Sequence, residues 1–240
     1  LSKMTLDEKL MQMNMQWPIN EFHKNLKENG GEPTLQANGS TFACPESLET
    51  VDDLQDYYLN KTRLGIPLLC HYEALHGLIH PNTTNFPQCA GIGGSFNREN
   101  VRKMGEIIGR ESKAYGIRLV YAPAIDIPRD PRWGRNMESY GEDPYATGEL
   151  GSEYVKGIQS EDVAACAKHY VGFGATEGGL LISPAHIGER EIREVMLEPF
   201  KKCIDAGLMA LMPSHNEIDG IPVHASKKYL RQILRDEMGF

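Results

Sequence analysis

The sequence contains no apolar stretch long enough to span a bilayer and no cluster of basic residues. A membrane-spanning helix needs about 20 consecutive apolar residues. Nucleic-acid binding needs Lys and Arg gathered on one face, whereas this chain of 240 residues carries a formal net charge of -8. These absences argue against a membrane or nucleic-acid partner and favour a neutral or polar small molecule.

Cysteine is scarce and widely spaced. No two cysteines form a C-x-x-C pair, so neither a zinc knuckle nor a redox motif is indicated. We therefore expect buried free thiols. The five cysteines are Cys44, Cys70, Cys89, Cys166 and Cys203.

Signatures of phosphate and metal binding are also missing. No Walker motif occurs, and the G-I-G-G of residues 91–94 lacks the spacing of a G-x-G-x-x-G dinucleotide loop. His71, His76 and His80 show neither the H-E-x-x-H motif nor an i, i+4 pair. We expect no cofactor and no metal.

Short apolar runs alternate with amphipathic helical patterns along the chain. Such alternation is typical of a parallel sheet covered by helices. Residues 29–47, rich in Gly, Asn, Pro and Ser, predict a loop, with a short hairpin within it as an alternative. The predicted strands are residues 66–70, 117–122, 163–167 and 208–212, and the predicted helices are 5–17, 48–62, 97–115, 144–158, 189–206 and 226–239.

Capping residues mark the beginnings of several predicted helices. Thr5 begins a Thr-x-x-Glu capping box, and Asn97 and Ser226 are suitable N-caps for later helices. Pro18 is expected to end the first helix, and Pro199 to bend the helix that contains it.

The distribution of polar loops distinguishes between two parallel-sheet folds. Polar and glycine-rich segments follow every predicted strand, as in barrel enzymes, whereas an open dinucleotide-binding sheet concentrates glycine after its first strand. An eight-stranded barrel takes roughly 250 residues, and about five or six strand–helix units fit in this chain. We therefore predict a (β/α)8 TIM-type α/β barrel that is incomplete at the C-terminus, with the last strand–helix units missing.

Four predicted strands are each followed by a polar cluster. Charges at the mouth of a barrel are costly unless they are paired or used, and carboxylates with Arg and Lys suit the hydroxyl groups of a sugar. Trp133 is expected to supply an apolar wall for the sugar ring. The clusters are His71-Tyr72-Glu73, Asp126 with Arg129-Asp130-Pro131-Arg132-Trp133-Gly134-Arg135, Lys168-His169-Tyr170, and Ser214-His215-Asn216-Glu217.

A structural interpretation of several of these residues remains open. Arg129, Asp130 and Arg132 equally suit a role in tying the long loop together. Glu138 and Asp143 are interpreted as loop or helix-cap residues rather than as ligands.

The clusters resemble, in order, the motifs of the first domain of family 3 glycoside hydrolases, especially the β-glucosidase and β-xylosidase branch. The resemblance runs from about Thr5 to Phe240. Its most specific parts are D-P-R-W-G-R and the Lys-His pair. The other parts are E-A-L-H-G, F-P-Q, E-S-Y-G-E-D-P, G-E-R-E-I-R-E and D-G-I-P-V-H-A.

The resemblance implies an exo-acting, retaining O-glycosyl hydrolase that removes β-linked glucose or xylose from non-reducing ends. Glu73 matches the sugar-binding carboxylate of the family, Arg135 its sugar-binding Arg, and Lys168 and His169 its Lys-His pair. His215 falls where many members place a Tyr beside the nucleophile. The partner implied is a β-linked oligosaccharide or glycoside.

The resemblance places both catalytic carboxylates outside this chain. In the family, the nucleophile is an Asp on a strand that follows the Gly-Phe seen here at Gly239–Phe240, and the acid/base carboxylate comes from a later domain. We therefore expect residues 1–240 to be a barrel domain truncated before the nucleophile strand, inactive alone and marginally stable because its sheet edges are open. The missing C-terminal part of the same enzyme is an expected partner.

Two questions about the parent protein stay open at this stage. The alternative to an enzyme is a non-catalytic carbohydrate-binding fragment. We also favour a secreted or periplasmic parent, with its signal peptide upstream of Leu1.

Overall fold

The structure, a computed structural model, describes residues 1–16, 19–30, 39–42 and 48–240. The predictions made for Pro18 and Cys44 concern residues outside these ranges. The helices are α1 (Leu6–Gln12), α2 (Ile19–Glu28), α3 (Leu48–Asn60), α4 (Cys89–Gly93), α5 (Arg98–Ala114), α6 (Pro144–Gln159), α7 (Glu189–Glu191) and α8 (Glu198–Asp205), with π-helical segments at Ile192–Met196 and Lys228–Glu237. The strands are β1 (Met15–Gln16), β2 (Ser40–Phe42), β3 (Leu69–Tyr72), β4 (Leu119–Val120), β5 (Ala164–Tyr170), β6 (Ala210–Pro213), β7 (Glu217–Ile218) and β8 (Ile221–Pro222).

Six strands form one curled parallel sheet in the order β1-β2-β3-β4-β5-β6. Each strand therefore pairs with its neighbour in the sequence, and the connecting helices cover the sheet, as in part of a TIM-type barrel. The prediction of an incomplete α/β barrel is confirmed. Strands β7 and β8 form a separate antiparallel pair beyond β6.

Helices α5 and α6 pack closely because glycine lies at their crossing. A Cβ atom added to Gly157 would lie 2.3 Å from the carbonyl oxygen of Arg102, and one added to Gly105 would lie 2.8 Å from that of Tyr154. Any larger side chain would push the helices apart. Val101, Met104 and Ile108 of α5 are buried in the core, as the helical periodicity predicts.

The predicted caps are present in the structure. The hydroxyl of Thr5 accepts a hydrogen bond from the amide of Glu8, and the Glu8 carboxylate accepts one from the amide of Thr5. Asn97 accepts from the amide of Asn100 at the beginning of α5, and Ser226 accepts from the amide of Tyr229. These side chains satisfy amide groups that have no partner within a helix.

Three predictions of local structure are wrong in detail. The first helix ends at Gln12, because Met15–Gln16 pairs with Ser40–Thr41 as a parallel strand, so sheet pairing overrides the helical spacing. Residues 40–42, predicted as loop or part of a short hairpin, form β2, which pairs in parallel with β1 and β3. The predicted helix 189–206 is interrupted by a π-helical segment, and Pro199 lies in the first turn of α8, where a missing amide hydrogen costs little.

Two further findings concern the described residues only. Cys70, Cys89, Cys166 and Cys203 are buried and free. Burial raises the pKa of the Cys70 thiol to about 11. None of the helices in these parts of the chain is long and apolar enough to cross a bilayer.

Candidate functional site

The carboxyl ends of strands β3 to β6 meet at one edge of the sheet, because the strands are adjacent and parallel. Glu73 directly follows β3, and Asp126 lies in the loop after β4. Lys168 and His169 belong to β5, and His215 follows β6. The fold thus brings together side chains that are up to 142 residues apart in the sequence, counted as 215 - 73.

Glu73 and Lys168 form an ion pair at this edge of the sheet, which we call the mouth of the partial barrel. The ammonium nitrogen of Lys168 donates hydrogen bonds to both carboxylate oxygens of Glu73, at 2.8 and 2.6 Å. The side chain of Lys168 is 1% exposed and that of Glu73 is 27% exposed. The pairing compensates a buried cation, and it leaves part of the Glu73 carboxylate open to a ligand.

Asp126 and His169 form a second buried pair. Nδ1 of His169 lies 2.8 Å from Oδ2 of Asp126, and the amide of His169 also donates to the same carboxylate at 3.3 Å. Both side chains are almost fully buried, at 3% and 2% exposure. A parallel bridge between Ala124 and Lys168 brings the two segments together.

Arg135 is held by Glu138 in the loop after β4. Its Nε and Nη2 atoms donate to the two oxygens of Glu138 at 2.9 and 2.6 Å, a bidentate arrangement that fixes the guanidinium plane. Burial by itself lowers the pKa of Arg135. The hydrogen bond to Glu138 and the charges of Glu138, Asp126 and Glu73 outweigh burial and raise this pKa above its usual value.

The ring of Phe173 lies between several of these side chains. Its centroid is 4.7 Å from that of His169 and 6.1 Å from that of His215, both in edge-to-face geometry. Cζ of Arg135 lies 5.5 Å from the centre of the same ring. Phe173 is 1% exposed, whereas His215 is exposed. One buried aromatic ring therefore packs against three of the five predicted site residues.

The loops after β4 and β5 are held against each other at Gly174. The amide of Arg129 donates to the carbonyl of Gly174 at 2.8 Å. A Cβ atom added to Gly174 would lie 2.4 Å from the carbonyl oxygen of Ile127. A larger side chain at this position would push the two loops apart.

The structure corrects one expectation and identifies two missed residues. Trp133 was expected to supply an apolar wall for a sugar ring, but it is 2% exposed and packs edge-to-face on Phe173, because so large an apolar ring is more stable when buried. Asp126 was recognised only as part of a polar cluster, and Glu138 was interpreted as a loop or cap residue. The signal for Asp126 was its position in the loop that follows a strand next to the strand that carries His169.

The neighbouring charged residues of the long loop have a structural role. The Arg132 guanidinium pairs with Asp130 two residues away and is 72% exposed, and Arg129 pairs with Glu191. These ion pairs support the interpretation that the three residues tie the loop together. Among residues 1–16, 19–30, 39–42 and 48–240, no group of three or more His, Cys, Asp or Glu is arranged to hold a metal ion.

The remaining hydrogen-bonding capacity of the mouth suits a polyhydroxylated ligand. Arg135 has five N–H donors, of which two are used by Glu138, and Lys168 has three, of which two are used by Glu73. The Glu73 carboxylate can accept about four hydrogen bonds and receives two from Lys168. A sugar ring presents hydroxyl groups that both donate and accept, so it matches this mixture of unused donors and acceptors.

Comparison with known proteins identifies the family. Residues 5–240 match the sequence profile described as Glycosyl hydrolase family 3 N terminal domain. The chain belongs to glycosyl hydrolase family 3. The resemblance stated from the motifs is thereby confirmed.

Relatives of this family 3 chain carry two kinds of name. It is 32% identical over 246 residues to the periplasmic β-glucosidase of Salmonella typhimurium, covering 100% of this chain and 31% of that protein. It is 33% identical over 255 residues to a β-xylosidase of Formosa agariphila, covering 100% of this chain and 30% of that protein. Among solved structures, the β-glucosidase from Listeria innocua in complex with isofagomine matches with a TM-score of 0.86 and 36% identity, covering 100% of this chain and 34% of that one.

The family 3 chain thus spans about a third of the length of these relatives. The structure brings Glu73, Arg135, Lys168, His169 and His215 to one mouth. Their role in sugar binding stays a prediction.

Proposed function

We propose that the full-length protein containing this chain is an exo-acting, retaining β-glycosidase. It removes single β-linked glucose or xylose units from the non-reducing ends of saccharides or glycosides. Residues 1–240 supply most of the subsite for the terminal sugar. The names of the relatives, β-glucosidase and β-xylosidase, support the class of reaction.

The observation that carries this proposal is the set of three fixed pairs at one mouth. Lys168 orients Glu73, Glu138 orients Arg135, and Asp126 orients His169. A subsite for one sugar ring needs hydrogen-bonding groups whose positions are set before the ligand binds, because ordering them on binding costs affinity. We infer that such a subsite binds the terminal sugar of a saccharide, so that the enzyme cleaves from chain ends.

The proposed mechanism follows that of retaining glycosidases. A carboxylate attacks the anomeric carbon and forms a covalent glycosyl-enzyme, while a second carboxylic acid protonates the leaving oxygen, and water then hydrolyses the intermediate. We place both carboxylates in sequence beyond residue 240, as the family resemblance implies. Within the present chain, Glu73, Arg135, Lys168 and His169 bind the ring hydroxyls, and His215 lies at the exposed rim.

Glu73 bears on the choice between glucose and xylose. The family resemblance gives many glucosidases an Asp at this position, and Glu is one methylene longer. We propose that this extra methylene crowds the C6 hydroxymethyl group of glucose and favours xylose, which lacks that group. The ion pair with Lys168 supports the proposal, because it limits the freedom of the Glu73 carboxylate to move aside.

The test uses the full-length protein encoded by the gene that contains this chain. We expect hydrolysis of 4-nitrophenyl β-D-xyloside and β-D-glucoside, with the β-anomer of the sugar as the first product in ¹H NMR spectra. Sequencing past residue 240 is expected to reveal a strand that carries an Asp. Absence of hydrolysis with retained sugar binding would support the alternative, a carbohydrate-binding module, and an α-anomer as first product would exclude retention.

A further inference from the structure

We propose that Asp126 is a positioning residue that fixes the tautomer of His169, so that the imidazole presents Nε2 as a hydrogen-bond acceptor to a sugar hydroxyl. The part of this inference that concerns the sugar rests on the function proposed above. The part that concerns the tautomer depends only on the geometry of this chain.

Two nitrogen atoms of His169, its main-chain amide and Nδ1, lie within hydrogen-bond distance of the Asp126 carboxylate. Asp126 receives the main-chain amide of His169 at 3.3 Å and faces its Nδ1 at 2.8 Å. A carboxylate accepts hydrogen bonds and donates none, so Nδ1 carries the proton. In the neutral imidazole, Nε2 is then left unprotonated, with its lone pair available.

The surroundings of His169 keep the ring in this orientation. The ring packs edge-to-face on Phe173 at 4.7 Å and is 3% exposed, which leaves little space for rotation. Nε2 makes no hydrogen bond to any of the residues that the structure describes, and it is not one of their buried, unpartnered polar atoms. It is therefore free to meet a ligand.

An acceptor at this point complements the other groups of the mouth. Lys168 and Arg135 can only donate, and both oxygens of Glu138 are engaged by Arg135. Glu73 supplies acceptor capacity, but part of it is used by Lys168. Each sugar hydroxyl also has a proton to donate, so the mouth needs a further acceptor, which Nε2 provides.

Replacement of Asp126 by Asn separates the tautomer from the packing. The side chain keeps its shape but has one acceptor oxygen and one NH2 donor in place of two acceptors. The main-chain amide of His169 is a fixed donor and takes the oxygen, so the NH2 group faces Nδ1. His169 must then accept at Nδ1 and carry its proton on Nε2, which turns the acceptor offered to the sugar into a donor.

The first experiment measures the tautomer without any substrate. Full-length protein labelled with ¹⁵N-histidine is studied by NMR, and the His169 signals are assigned by their loss in His169→Gln. We expect an unprotonated Nε2 and a protonated Nδ1 in the wild type, and the reverse in Asp126→Asn. A proton on Nε2 in the wild type, or unchanged ¹⁵N shifts in Asp126→Asn, would overturn the proposal.

The second experiment measures the consequence for the sugar. Asp126→Asn is expected to raise KM for the 4-nitrophenyl glycosides, and to weaken competitive inhibition by free xylose and glucose, by about 10- to 100-fold. Ser139→Ala is the matched control, because Ser139 donates to the main-chain carbonyl of Asp126 and does not touch its carboxylate. We expect it to lower thermal stability with KM within about 2-fold of wild type, since its loss removes a hydrogen bond of the scaffold alone.

The outcomes distinguish this inference from the proposed function. Equal KM values in wild type and folded Asp126→Asn would overturn the role of His169 towards the sugar, even if hydrolysis is observed. A wild type that neither binds nor hydrolyses glycosides would refute the proposed function and with it the sugar part, whereas the NMR result would still decide the role of Asp126.

Discussion

Lys168 donates two hydrogen bonds to the carboxylate of Glu73, a residue that lies 95 positions earlier in the chain. The cation is buried and the anion is partly open to solvent. Glu73 therefore compensates the charge of Lys168 and still has unused oxygen lone pairs. This arrangement links the stability of the domain to the candidate site.

Removal of Glu73 is expected to destabilise the protein. In Glu73→Ala the buried ammonium of Lys168 loses its partner, which costs about 1–3 kcal/mol, because water at the mouth replaces part of the lost interaction. Differential scanning calorimetry of the full-length protein should show a lower apparent Tm for Glu73→Ala than for the double variant Glu73→Gln with Lys168→Met, in which no charge remains unpaired. Equal Tm values for wild type and Glu73→Ala would contradict the coupling.

Shortening of Glu73 is expected to change the choice of sugar. Glu73→Asp makes room for the C6 hydroxymethyl group, so the ratio of kcat/KM for β-glucoside over β-xyloside should rise by about 10-fold, the scale of one methylene in a packed pocket. Initial rates on the two 4-nitrophenyl glycosides measure this ratio. A wild type that strongly prefers glucoside, with a ratio unaffected by Glu73→Asp, would refute the specificity hypothesis.

Loss of the Glu138 carboxylate charge is expected to weaken sugar binding through Arg135. In Glu138→Gln one of the two acceptor oxygens becomes an NH2 group that cannot accept, so the two-oxygen bidentate pair is lost, the guanidinium plane is less fixed and KM should rise by about 10-fold. Arg132→Gln is a control on the same loop, because Arg132 is exposed and contacts only Asp130 among the hydrogen-bond partners in the described residues. A comparable rise in KM for Arg132→Gln would show that the effect comes from the loop as a whole.

Burial of His71 should make stability depend on pH. Burial lowers the pKa of His71 to about 4 from 6.5, and its Nδ1 has no hydrogen-bond partner among the described residues. Between these values the unfolded chain binds the proton and the folded protein does not, so the contribution of His71 to stability falls as pH decreases from about 6.5 to 4 and is constant above 6.5.

The measurement is the apparent Tm of wild type and His71→Phe at pH 7.5 and pH 5. The wild type should lose more Tm than the variant, because Phe cannot take up a proton and still packs with Tyr121, whose ring centroid lies 4.9 Å away. His186→Gln, which changes an exposed His, is expected to behave as wild type. An identical pH response of all three proteins would exclude the effect.

The parts of the fold that could be predicted from the sequence are those with local causes. Capping by Thr5 and Asn97 and the apolar face of α5 depend on neighbouring residues, and the structure confirms them. Strands β1 and β2 have two and three residues and no continuous apolar run, so nothing local marks them. They form because a neighbouring strand is available, which is a tertiary cause.

The candidate site shows the same division. The family motifs indicated Glu73, Arg135, Lys168 and His169, and the parallel topology explains why they meet. The partner of each of these side chains was harder to predict, because a carboxylate such as Asp126 or Glu138 has the same sequence signature whether it contacts a ligand or another side chain. Trp133 failed as a predicted wall for a related reason, since its motif does not reveal which side of the loop is buried.

The sheet order has a consequence for how the chain is made. Strands β2 to β6 each pair with the strand synthesised just before them, so each of these five strands leaves the ribosome with its partner edge already available. The ion pair between Glu73 and Lys168 can form only after β5 has been synthesised, because Lys168 belongs to that strand. Until then the carboxylate of Glu73 is without its cationic partner. Folding of this domain can therefore advance from N- to C-terminus in step with translation.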